Sequence, residues 1–135
     1  MPDAALPPLA VRTFRVARPT ADLVAITAFY SDVVGLARLG GFVGHDGYDG
    51  AFIGPVGGGW HVEFTRHESG HPAPTPTDED LLVLYLEAAD VTAVSTRLTA
   101  ARHPPIAHPN PYWAGVGALA HRDPDGYVLM LCPRD

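Results

Sequence analysis

The sequence predicts an α+β fold built from two successive βαβββ modules, and three observations predict it. A strand-like run, a helical stripe and further strand-like runs follow one another twice in the same order. A stretch rich in Pro, Gly, Ser and Thr, with no hydrophobic period, separates the two passages at residues 68–80. A chain of 135 residues is the size of one domain with a real core, so the two passages are read as halves of a single domain.

The first module is placed at residues 11–67. Val11-Arg12-Thr13-Phe14-Arg15-Val16 alternates and is β-branched, which reads as a strand. Pro19-Thr20 opens a helix with Thr20 as its N-cap, and Leu23, Ile26, Phe29, Tyr30 and Val33 recur at helical spacing. Gly35 suits the left-handed stop. Three short strands follow, around Leu36–Val43, Ala51–Val56 and His61–Arg66, with glycines between them.

The second module, residues 81–132, repeats the order. Leu81-Leu82-Val83-Leu84-Tyr85-Leu86 reads as a strand buried on both faces. Asp90 caps a helix whose Val91, Val94, Leu98 and Ala101 form one stripe, ended near Pro104-Pro105. Beyond Ile106–Pro109, strands at Ala118–Arg122 and Tyr127–Cys132 are joined by the turn Asp123-Pro124-Asp125-Gly126. Helices on one face of each sheet make this an α+β arrangement.

Composition excludes several function classes. The net charge is −6 and no Lys/Arg run stands out, which argues against nucleic acid and against an anionic membrane. No apolar run approaches the roughly 20 residues that cross a bilayer, and no secretory signal is read at the start. The single cysteine, Cys132, lies in an apolar strand and is read as inert core in a reducing, cytoplasmic setting. The chain lacks a Cys pair, a G-x-S-x-G elbow, a P-loop and a G-x-G-x-x-G after a strand.

Strand alternation selects the polar groups of a site. If Glu63 faces a cup, His61 and Thr65 do too, while Val62 and Phe64 face the helices. The same rule assigns Phe14, Val16, Leu82, Leu84, Val128 and Met130 to the cup. An apolar bowl with one carboxylate and one imidazole is how small-molecule sites are composed. A neighbouring His–Glu pair also has the groups for acid–base work, set against the alternative that the two merely satisfy each other. Tyr48 and His45 lie in a glycine-rich turn at the rim, where Asp49 caps the backbone. Tyr112 and Trp113 form an aromatic loop read as a lid over an apolar ligand, with burial against the other module as the alternative. Trp60 is assigned to packing, and His67, His71, His103 and His108 to solvated surface. The side of His121 is left open, and Arg18 is given either a ligand carboxylate or a surface ion pair.

Several of these segments carry a resemblance. The Asp123-Pro124-Asp125-Gly126 turn with Tyr127-Val128-Leu129-Met130-Leu131 resembles the last hairpin of the glyoxalase/bleomycin-resistance/dioxygenase (vicinal oxygen chelate) superfamily. Phe29-Tyr30 with Gly35-Leu36 resembles that superfamily's first helix end. His45 to Gly50, Trp60 to Thr65 and Asn110 to Trp113 are similar to a bacterial subgroup of it whose substrate is not established. The resemblance spans nearly the whole chain and implies paired modules forming a curved mixed sheet around a cavity. It also implies a homodimer, with cups built within one chain or from modules of two.

In metal-using relatives four strands each supply a ligand. The resemblance puts those positions at Phe14, give or take one residue, and at Glu63, Leu82 and Met130. Only Glu63 is a donor, and first-row metals take three or four protein donors. The expectation is therefore a protein without a cofactor, a divalent metal being disfavoured, that binds an apolar or aromatic small molecule. Phe14, His45, Tyr48, Glu63, Leu82, Tyr112, Trp113 and Met130 would contact the ligand, and Glu63 and His61 are the catalytic candidates if a reaction occurs. The alternative is a lyase, isomerase or dioxygenase-type enzyme. It would use Glu63 and His61 directly, or a metal site rebuilt from them with His45 or His121. A cup closed by its own side chains, serving only structure, is the third reading.

Overall fold

A computed structural model describes residues 4–134. The first module runs β1 (Phe14–Pro19), α1 (Leu23–Thr27), β2 (Ala37–His45), β3 (Tyr48–Gly54) and β4 (Trp60–His67). The second runs β5 (Leu81–Leu86), α2 (Ala88–Ala100), β6 (Pro105–Ile106), a short helix α3 (Tyr112–Gly115), β7 (Leu119–Arg122) and β8 (Val128–Pro133). Each module folds into its own four-stranded mixed sheet, in the orders β1-β4-β3-β2 and β5-β8-β7-β6. β1 lies parallel to β4 and β5 parallel to β8, while the other neighbours are antiparallel.

Two helix starts differ from expectation. Asp22, not Thr20, caps α1, its carboxylate accepting from the Ala25 amide at 3.0 Å, and Thr20 is buried beside it. Glu87 is the N-cap of α2, and Asp90 sits in its first turn, where negative charge still meets the positive helix end. After Thr27 the first helix widens into a π-helical segment, Ala28–Val33, before Gly35 stops it at φ +100°. Arg97 of α2 braces that end, donating to the carbonyls of Val33 at 2.8 Å and Val34 at 3.1 Å. The linker from Glu68 to Asp80 contributes no strand or helix.

Both sheets turn one face into a single shared core. Ile26, Phe29 and Tyr30 meet Val62 and Phe64 from the first sheet, and Leu84, Leu129 and Leu131 from the second. A separate cluster, Ala118, Ala120, Val128, Met130 and Cys132, fills the opposite face of the second sheet. Among the described residues no helix is long and apolar enough to cross a membrane.

Candidate functional site

The parallel register between β1 and β4 decides what the open face of the first sheet contains. Arg15 stands beside His61, and Ala17 beside Glu63, while Val16 pairs with Val62. Val62 and Phe64 are buried in the core, so His61, Glu63 and Thr65 point the other way, as alternation requires. The neighbours on that face are Arg15 and Ala17. Phe14 and Val16 lie on the core side of an edge strand, where Phe14 stays 60% exposed. Their assignment to the cup is corrected by one residue, because a one-residue shift sends a strand's side chains to the opposite face.

Arg15 is the hub of the open face. Its Nε donates to His61 Nε2 at 2.8 Å, and its Nη1 lies 3.7 Å from Glu63 Oε2. The guanidinium carbon sits 4.6 Å from the centre of the Phe52 ring, a cation–π distance. Phe52 is opposite Glu63 in the β3–β4 ladder and meets His61 edge-on at 5.7 Å. Glu63 keeps only 16% of its side chain exposed. Because Arg15 has no acceptor, the His61 nitrogen facing it carries the lone pair. Farther along the same face Tyr48 packs edge-on against His67 at 4.6 Å. Tyr48, Thr65, His67 and Pro72 line a hollow of about 180 Å³ there.

The second sheet differs. In the β5–β8 register Val83 faces with Met130, whereas Leu82 and Leu84 pair with Leu129 and Leu131 and turn toward the shared core. Leu82 and Leu84 are therefore removed from the cup face, and Val128 and Met130 stay on it. That face is hydrocarbon, and Trp113 and Ile106 of the same module cover it. Trp113, Asn110, His108 and Met130 border a residual hollow of about 110 Å³. Trp113 thus packs on its own module, neither on the other one nor free of contact. Tyr112 is exposed, its amide held by Asn110 at 3.0 Å.

The candidate residues do not converge within one chain. Glu63, His61 and Tyr48 share the first sheet's open face, Met130 and Trp113 share the second sheet's, and Phe14 and Leu82 lie on neither. His45 sits at the exposed tip of the β2–β3 hairpin, 3.7 Å from Asp46. His121 is fully buried on the helix side, accepting from Ser95 at 2.9 Å and donating to the His103 carbonyl at 2.7 Å. Neither histidine is brought to Glu63 within one chain, so the described residues of a single chain do not assemble the rebuilt metal site. Among the described residues no group of three His, Cys, Asp or Glu side chains is placed to hold an ion. His103 also departs from expectation, its ring packed edge-on against Phe29 at 4.9 Å.

Two members of the site were missed in the sequence. Arg15 was hidden by the strand phase, and Phe52 follows from alternation once Ile53 is known to be core. Among the described residues Arg18 forms no surface ion pair, and it borders the hollow beside Tyr48. Its guanidinium stacks 4.3 Å from the Tyr127 ring of the second module.

Comparison with known proteins matches residues 14–65 to the YycE-like N-terminal domain and residues 79–132 to the YycE-like C-terminal domain. The chain is 39% identical to YycE of Bacillus subtilis (strain 168), an uncharacterized protein, over 118 residues that cover 87% of this chain and 84% of YycE. The crystal structure of a Bacillus subtilis YycE protein superposes with a TM-score of 0.86 at 35% identity, covering 93% of this chain and 91% of that one. Glyoxalase I of Leishmania major, described as trypanothione-dependent, shares the fold with a TM-score of 0.71 at 18% identity, over 90% of this chain and 86% of the enzyme. TnmS3, an antibiotic-binding protein from Streptomyces sp. CB03234, shares it with a TM-score of 0.66 at 21% identity, over 91% and 95% of the two chains.

Proposed function

Since this chain belongs to the YycE-like family and has the fold of the vicinal oxygen chelate superfamily, we propose that it is a metal-free protein that binds a small apolar or aromatic molecule. The fold alone serves both enzymes and binding proteins, so the reading rests on residues. One observation carries it. Glu63 and His61 stand beside Phe52 on an open sheet face, with Tyr48 farther along it, while the other three strand positions associated with metal ligands hold Arg15, Val83 or Leu82, and Met130. Apolar walls with a few oriented polar groups suit a small organic ligand, and one carboxylate with one imidazole is a poor donor set for a divalent ion. Because His61 Nε2 is already engaged by Arg15, the acid–base enzyme reading has less support.

Both open faces turn away from the shared core, and exposed Phe14 and Tyr85 flank them. A second copy laying its own sheet across Glu63 closes the cup, so the binding unit of this reading is a homodimer. A cytoplasmic setting suits the buried, unpaired Cys132.

Three measurements test the reading. Metal analysis of untagged protein should give no stoichiometric ion, and sedimentation should give a dimer. A thermal-shift screen of aromatic small molecules should find stabilising ligands, since binding the folded state raises its stability. The Glu63→Gln protein should lose those shifts, and unchanged shifts in it would remove Glu63 from the site.

A further inference from the structure

The open face of the first sheet carries a cation of its own, fixed by the groups that would otherwise receive a metal. The register puts Arg15, not Phe14, at the first strand position. Its guanidinium engages His61 Nε2 at 2.8 Å, approaches Glu63 Oε2 to 3.7 Å and lies over the Phe52 ring at 4.6 Å. An imidazole nitrogen and a carboxylate oxygen are what a divalent ion takes from a protein. Here both already face a positive charge that titration cannot remove.

We propose that Arg15 serves as the built-in cation of this site in place of a metal ion, and that the molecule it receives is an aromatic or apolar organic acid. The proposal rests on the first sheet's open face being the ligand site. Nε is spent on His61, and Nη1 stands beyond hydrogen-bond length from Glu63. The outer N–H edge remains for a carboxylate, which a guanidinium grips through two parallel bonds. Arg15 keeps 46% of its side chain exposed, so that edge is reachable from solvent. The guanidinium lies over the Phe52 ring, which supplies the apolar wall.

The test has a ligand arm and a metal arm, both on the full chain. The probes are benzoate and its neutral isostere benzamide, titrated into ¹⁵N-labelled wild type, Arg15→Met and Arg15→Lys. Benzoate should shift resonances of β1 and β4 saturably and bind about 10-fold or more tighter than benzamide, the effect of one charge-assisted pair. Arg15→Met should abolish that preference, and Arg15→Lys should retain part of it. In the metal arm, Arg15→His places an imidazole beside His61 and Glu63. It should take up Ni²⁺ at one ion per chain by calorimetry, where wild type and Arg15→Ala do not.

Equal binding of both probes, unaffected by Arg15→Met, overturns the proposal while leaving the pocket reading intact. Ni²⁺ uptake by wild type equal to that of Arg15→His, or none by Arg15→His, overturns the exchange of cation for metal. No response to either probe in any variant is the failure of the pocket reading, and the assignment falls with it.

Discussion

The Tyr30 hydroxyl donates to Asp123 Oδ2 at 2.6 Å, joining the first module's helix to the second module's last turn. Both groups are buried. Asp123 Oδ1 meanwhile accepts from the amides of Asp125 at 2.9 Å and Tyr127 at 3.1 Å, fixing the turn in which Gly126 adopts φ +93°. Tyr30→Phe keeps the ring stacked on Phe64 but leaves Oδ2 without its donor. The loss should be about 1–3 kcal/mol, the cost of an unpaired buried acceptor. Urea denaturation measures it, and an unchanged midpoint would show that the bond contributes nothing across this boundary.

The same carboxyl gives a signed pH dependence. Burial pushes Asp123 above the ordinary carboxylate range, more than the bonds from Tyr30 and the backbone amides pull it down. Between the unfolded and folded pKa values, the folded state therefore holds a proton here that the unfolded chain has released. Stability tied to Asp123 is complete below the unfolded carboxylate pKa and declines as pH rises through the folded value. Asp123→Asn cannot titrate, so its stability relative to wild type should rise as pH is raised from about 4. Denaturation of both proteins over that rise in pH checks the sign. A relative stability that falls instead contradicts a carboxyl shifted upward.

His121 works in the opposite direction. Burial is the largest influence and lowers its pKa, outweighing the hydrogen bond to the His103 carbonyl. The unfolded chain then takes up a proton first as the solution is acidified below about pH 6.5. Stability tied to His121 is present above that point and is lost on acidification toward the folded pKa. His121→Gln should be less stable at neutral pH, because Ser95 and the His103 carbonyl lose a fitted partner. Its stability should also fall less than wild type's between pH 7 and about pH 5.5. Parallel curves for the two proteins would mean that His121 titrates alike folded and unfolded.

The fold was legible because periodicity states element type strongly. Both helical stripes, the Gly35 stop, the linker and the Asp123–Gly126 hairpin lie where the pattern puts them. The strand faces were less legible, for two reasons. β5 reads Leu-Leu-Val-Leu-Tyr-Leu and β8 is apolar throughout, so alternation has no phase in them until the partner strand supplies one. β1 does alternate, but as an edge strand it leaves Phe14 exposed while turning it to the core side. Assuming that its apolar residues line a cup selected Phe14 and passed over Arg15. The cap shift from Thr20 to Asp22 has another cause. Both residues favour N-caps, but Thr20 is still tied to the sheet through its amide to the Thr65 carbonyl, and the helix begins only after Asp22.

Met130 gives the sharpest test of the donor-poor second sheet. In metal-using members of the superfamily this strand position supplies a ligand, often a carboxylate. Here it is fully buried, beside Val83 in the register and clustered with Ala118, Ala120 and Trp113. Met130→Glu restores the ligand type but puts it where no cation faces it. If the position only awaited its ligand, the variant should fold normally and gain affinity for a divalent ion. If it is core, the carboxyl enters a mainly apolar cluster, with only the small hollow by His108 and Asn110 beside it. The cost should then be on the order of 2–7 kcal/mol, or a carboxyl kept neutral, with no metal gained. The structure favours the second outcome, because Trp113 closes that face within its own module. Urea denaturation with and without added Zn²⁺ separates the two. A Met130→Glu protein that zinc restores to wild-type stability would show that the second sheet still has a working ligand position.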